Sequence, residues 1–158
     1  MHQTLHPLLE LATHVAGLDS DRRGAMSLAA ITTTTGPGTM PALHVQEHEE
    51  AYHVLSGRIT VFAGDDVREL GPGQSYLVAA GVPHTHRAEE LSRHLTVAAV
   101  VSVSRFEDFV RAVSRPVPGL LGDWADSAEA AVLTAIAASN GITILGAPGV
   151  LPQARDGR

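Results

Sequence analysis

Five of the nine histidines fall in two short stretches: His44, His48 and His53 in a run that also carries Glu47, Glu49 and Glu50, and His84 with His86 two residues on. Imidazole and carboxylate at this density are donors for a divalent first-row transition ion, and three or four of them converging leave positions open for a substrate or for dioxygen. The rest of the reactive inventory is narrow. There is no Cys, and all 11 basic residues are Arg, so the chain has no Lys. Disulfides, iron–sulfur clusters, thiolate nucleophiles, Cys-type zinc sites, internal Schiff bases and Lys-based phosphate loops are excluded together. His and carboxylate chemistry remains. A solvated acidic surface loop is the plain alternative for part of the run, and His48 between Glu47 and Glu49 fits it.

The elements that position these residues read as short β-branched segments punctuated by Gly and Pro. Candidate strands are Met26–Thr35, Ala42–Glu47, Ala51–Leu55, Arg58–Ala63, Val67–Leu70, Ser75–Val78, His84–Ala88 and Leu95–Val103. About eight such strands predict an all-β, single antiparallel barrel or sandwich. Strand side chains alternate between faces, so if His44 points into the barrel, then Gln46 does too. With continued alternation His48, Glu50, Tyr52 and Val54 follow, while His53 faces the other way. His84 and His86 share a face. His2, His6, His14 and His94 have no partner in either stretch and read as surface.

The spacing further predicts a helix over Arg105–Val113 and a second one opened by the capping pair Asp126 and Glu129 and closed at Asn140-Gly141. Ile142–Leu145 is a candidate edge strand. The organisation is then an N-terminal extension over 1–25, a barrel over 26–103 and a C-terminal helical segment over 104–158 that packs on it. With 158 residues one domain is the default.

The first stretch resembles the first motif of the cupin family, G(X)5HXH(X)3,4E(X)6G, through Gly38, His44, Glu50 and Gly57, with Gln46 where the second His is usual. The second is similar to G(X)5PXG(X)2H(X)3N through Gly81 and His84, with Ala79 in place of Pro and Ala88 in place of Asn. The resemblance implies a cupin jelly-roll barrel, most like the single-domain quercetin 2,3-dioxygenase type. Carried over residue by residue, it implies metal ligands at His44, Glu50 and His84, with Gln46 in the fourth ligand position and His86 or His48 as its substitutes. The ion would be a divalent transition metal: Mn, Fe, Co, Ni, Cu or Zn. Glu50 is then also the catalytic proton acceptor, its pKa expected to rise by desolvation. Homodimerisation is implied as well.

Tyr52, His86, Ile31, Val54 and Leu77 are the expected substrate-lining residues, and the substrate is an aromatic or polyketide-like small molecule. With 4% aromatic residues a sugar-stacking platform is disfavoured. Two other functions fit the same pocket: a non-oxidative tailoring enzyme (cyclase, isomerase or dehydratase) working by acid–base chemistry, and a non-catalytic small-molecule-binding cupin. Net charge −6 with scattered Arg argues against a nucleic-acid partner. The first eleven residues lack a signal-peptide pattern. The longest apolar stretch falls well short of the roughly 18 residues of a membrane span, which leaves a cytoplasmic location as the default expectation.

Overall fold

Period-two burial sets the strands. Along Glu50–Ser56 the buried positions are Glu50, Tyr52 and Val54, with Ala51 and His53 between them more exposed. The computed structural model describes residues 8–10, 27–100 and 128–153. In these, ten strands run in chain order: β1 (Leu8–Glu10), β2 (Ser27–Thr35), β3 (Ala42–Gln46), β4 (Glu50–Ser56), β5 (Ile59–Ala63), β6 (Asp66–Leu70), β7 (Ser75–Val78), β8 (His84–Ala88), β9 (Ser92–Val100) and β10 (Ile142–Pro148). One helix, α1 (Ala128–Ala138), precedes the last strand.

The strands form two five-stranded antiparallel sheets, β1-β2-β9-β4-β7 and β10-β3-β8-β5-β6. Because β2, β4, β7 and β9 lie in one sheet and β3, β5, β6 and β8 in the other, the chain crosses repeatedly between layers, as in a cupin jelly roll. The expected all-β barrel with a short C-terminal helix is what the chain forms. Its core is Tyr52, Val54, Ile59, Val61, Ala63, Leu70 and Val78. Strand β5 is buried along its whole length because its outer face is covered too: Thr60 donates to Glu89 at 2.6 Å, and the Arg87 guanidinium lies 5.5 Å from the Phe62 ring centroid.

Three differences from the sequence expectation have physical causes. Strand β9 begins at Ser92 rather than Leu95, because Ser92-Arg93-His94 reads as polar loop while its alternation continues Ser92, His94 and Ala98 into the interior. Strand β1 was not expected; its three residues carry too little pattern to stand out, and pairing with Thr32–Thr34 of β2 makes it a strand. Strand β10 runs on to Pro148, where register shifts at Gly146 and Pro148 keep the irregular end paired to β3. The Asn140-Gly141 stop is as expected, with Gly141 at φ 72° and the Asn140 amide donating to the Ile136 carbonyl at 2.9 Å. The candidate helix Arg105–Val113 and the capping residue Asp126 lie outside the described residues.

Gly57 closes the β4–β5 turn. Its φ is 74°, and a Cβ there would sit 2.4 Å from the Leu91 carbonyl oxygen and 2.5 Å from Ser92 Oγ. Ser92 Oγ itself accepts from the Arg58 amide at 3.0 Å and donates to the Arg58 carbonyl at 2.7 Å, so it cannot give way without breaking the turn's own bonds. Gly57→Ala is expected to destabilise the protein by about 2 kcal/mol or more, read as a lower urea midpoint at unchanged slope. An unchanged midpoint would show that the turn rearranges freely.

Candidate metal centre

His44 and His84 are directly opposite each other in the β3–β8 pairing, and this register places their rings 4.3 Å apart. Glu50 comes from the other sheet, at the start of β4, and faces them across the interior. Behind His84 the paired residue of β5 is Ala63, small enough to leave the ring its place. The Gly81 amide donates to the Gln46 carbonyl at 2.8 Å, tying the loop before His84 to the end of β3.

Both imidazoles are anchored by their outer nitrogen. His44 Nδ1 donates to the Ala42 carbonyl at 2.9 Å and His84 Nδ1 to the Val82 carbonyl at 2.8 Å. A proton held at Nδ1 turns the Nε2 lone pair inward, the arrangement that orients a metal-ligating histidine. The inward atoms meet one carboxylate oxygen. Glu50 Oε2 lies 2.6 Å from His84 Nε2 and 3.7 Å from His44 Nε2, and it accepts from Gln46 Nε2 at 3.0 Å and from the Tyr52 hydroxyl at 3.2 Å. His84 thus has an acceptor at each nitrogen, so its contact with Glu50 requires a proton or a cation between Nε2 and Oε2.

Electrostatics follow from this crowding. Burial alone would raise the Glu50 pKa, but the imidazoles of His44 and His84 outweigh it and hold the carboxyl well below the usual carboxylate range. This corrects the expectation of a desolvation-raised Glu50: the barrel is apolar, but the carboxylate's immediate neighbours are two imidazoles and two hydrogen-bond donors. For His44, burial lowers the pKa and Glu50 more than reverses that, leaving it raised. Burial and then the Glu50 charge push the Tyr52 hydroxyl well above 10, so it stays a donor.

One ligand atom from each of His44, Glu50 and His84 lies within 4.8 Å of the others, so among the described residues these three form a group that can hold a metal ion. The donor set, two Nε2 atoms and a carboxylate with the outer nitrogens anchored, suits a first-row transition ion. Gln46 is buried beside it, its amide nitrogen spent on Glu50. His48 lies in the β3–β4 turn and outside the group.

The expected lining residues divide. Tyr52, Val54, His86 and Ile31 are buried. Leu77 is not: it is 56% exposed and pairs with Ala51 on the outer face, where it lines a groove with Tyr76, Val82 and Pro83. Alternation along β7 puts Val78, opposite Glu50, inside instead. His53 is on the outer face, hydrogen-bonded to Ser75 at 2.7 Å. His94, read from the sequence as surface, is fully buried and packs its ring 4.7 Å from that of His86. Its signal was the period-two continuation of β9 back to Ser92. Among the described residues, no helix is long and apolar enough to cross a membrane.

Residues 32–100 match the family model described as Cupin domain. No curated protein matches the sequence. Among solved structures, the chain is similar to a conserved protein of unknown function from Streptococcus pyogenes, at 18% identity and TM-score 0.50, covering 62% of this chain and 77% of that one. It is similar at 19% identity and TM-score 0.50 to KdgF from Halomonas sp., covering 60% and 78%. A cupin superfamily protein from Desulfitobacterium hafniense matches at 15% identity and TM-score 0.49, covering 61% and 80%. For the Streptococcus pyogenes and Halomonas proteins, at these identities, the likeness is one of fold.

Proposed function

We propose that this protein is a metal-dependent cupin enzyme acting on an aromatic or enolic small molecule, with an oxygenase reaction of the quercetin 2,3-dioxygenase type. The observation that carries it is the inward Nε2 pair of His44 and His84 facing Glu50, each imidazole locked by a backbone carbonyl at Nδ1. His44, Glu50 and His84 would hold the ion. Gln46, buried beside them, would offer its amide oxygen as a further donor, since its nitrogen already donates to Glu50. A divalent transition ion supplies Lewis acidity and a place for an anionic substrate oxygen.

The chain's own residues do the rest. Glu50 Oε2, which already accepts from two neutral donors, is the atom that receives a substrate hydroxyl proton. Its depressed pKa makes it a carboxylate throughout the neutral range, ready to accept but weakly basic. Tyr52 holds that oxygen in place, and Ile31, Val54 and His86 border the interior in which the substrate lies. The second reading is non-oxidative acid–base tailoring. The 2.6 Å His84–Glu50 contact favours it, because a proton shared there can be delivered to and recovered from a substrate without an ion.

Elemental analysis of protein purified without chelators, followed by incubation with Mn, Fe, Co, Ni, Cu or Zn, tests the first reading. One ion per chain is expected, with oxygen uptake when a flavonol is added. A protein that stays metal-free after all six ions ends the oxygenase reading. Flavonol consumed at equal rates under air and under nitrogen favours the second.

A further inference from the structure

Among the described residues, four buried side-chain polar atoms have no hydrogen-bond partner: Thr35 Oγ1, His86 Nδ1 and both ring nitrogens of His94. They belong to one region. The β2–β9 register sets Thr33 opposite His94 and Thr35 opposite Ser92, so Thr35 and His94 are diagonal neighbours on one face of that sheet. His86 approaches from β8 in the other sheet, its ring edge-on to His94 at 4.7 Å. Tyr52 borders the cluster, its ring 5.3 Å from that of His86 and 6.2 Å from that of His94, while its hydroxyl is directed to Glu50.

Buried polar atoms in folded proteins are overwhelmingly paired with protein groups or ordered water, so four unmade bonds on these facing strands mark where a water, or the ligand group that displaces it, completes them. Donor and acceptor arithmetic says what kind. A neutral imidazole offers one donor and one acceptor, and a threonine hydroxyl offers both. Burial keeps His94 uncharged, its pKa pushed down to about 4. An apolar group would leave every bond unmade, and a charged one would be desolvated beside neutral partners. A hydroxyl matches, since it gives and accepts at once.

We propose that His94, with His86 and Thr35, forms a second ligand subsite in the barrel that binds a neutral hydroxyl group of the small molecule. The inference rests on the reading of the interior as a small-molecule site, but not on the ion or the oxygenase reaction.

Phenol and its near-isostere toluene, which lacks the hydroxyl, are the probes. Binding to the whole protein is measured by calorimetry, with ring 15N resonances reporting on His94, in metal-free and metal-loaded samples. Phenol is expected to bind roughly tenfold or more tightly than toluene, with a shift of the His94 ring nitrogens. His94→Phe should abolish the preference, while His94→Gln, which keeps a donor and an acceptor, should retain most of it and serves if the Phe variant does not fold. Equal binding of the two probes, no binding of either, or a preference that survives in folded His94→Phe overturns the proposal. So does a preference lost only in Glu50→Gln, which would place the hydroxyl at Glu50. A sample that takes no metal yet shows the His94-dependent preference rejects the oxygenase reading alone. One that loads metal without the preference rejects the subsite alone.

Discussion

Glu50→Gln is expected to lower metal affinity by about two to three orders of magnitude and to remove metal-dependent activity with it. The substitution keeps the shape of the side chain and removes its charge. His84 Nε2 at 2.6 Å and His44 Nε2 at 3.7 Å then lose their one anionic neighbour among the described residues. A bound cation loses its paired carboxylate at the same time; breaking such a buried charge pair by removing one partner costs about 3–5 kcal/mol, and 1.4 kcal/mol is a factor of ten. The same change reverses a titration. Glu50 raises the His44 pKa against a burial that lowers it, so with the carboxylate gone burial dominates and His44 should titrate below 6.5. Isothermal titration with the ion gives the first result and ring resonances against pH give the second. A His44 pKa that stays raised in Glu50→Gln would mean that another group supplies the field, and the centre would have to be redrawn.

This centre was largely legible in the sequence, and the reason is geometric. His44 and His84 lie on strands entered just after Pro41 and Pro83, Glu50 opens the strand that Gly57 closes, and a strand's period of two fixes which face a side chain takes once its ends are known. The strand ends were readable over residues 42–88 because turn residues have their own local chemistry. Leu77 failed the same test from the other side: it is apolar and on a strand, but its parity with Ala51 puts it on the outer face. The Glu50 pKa was not legible, since it depends on how close two imidazoles from the facing sheet come, which no spacing along one strand contains. His94 was missed because its polar neighbours Ser92 and Arg93 resemble loop. Only the pairing of β9 with both β2 and β4 shows that the polar alternation there is an interior face.

That interior histidine should make the fold sensitive to mild acid. The His94 pKa is lowered from 6.5 to about 4 by burial, with the Glu50 charge opposing weakly. The unfolded chain therefore takes up this proton first as pH falls, and the folded state loses stability from pH 6.5 downwards until pH 4, below which the difference is constant. At 1.36 kcal/mol per unit this amounts to about 2 kcal/mol by pH 5 and about 3 kcal/mol by pH 4. The neighbouring groups can be told apart by sign. His44, raised, contributes stability that is complete below 6.5 and lost as pH rises through its folded value, so it acts above this window. Glu50, lowered, contributes stability present above its unfolded value near 4.5 and lost only as pH falls further, so it acts at the acid end. His86, also lowered chiefly by burial, acts in the same sense as His94 and remains in the variant. Urea midpoints between pH 7.5 and 5 should therefore fall less steeply in His94→Gln than in the wild type, by about 2 kcal/mol over the range. Parallel curves would show that His94 takes its proton without leaving the fold, and the lowered folded-state value would be overturned.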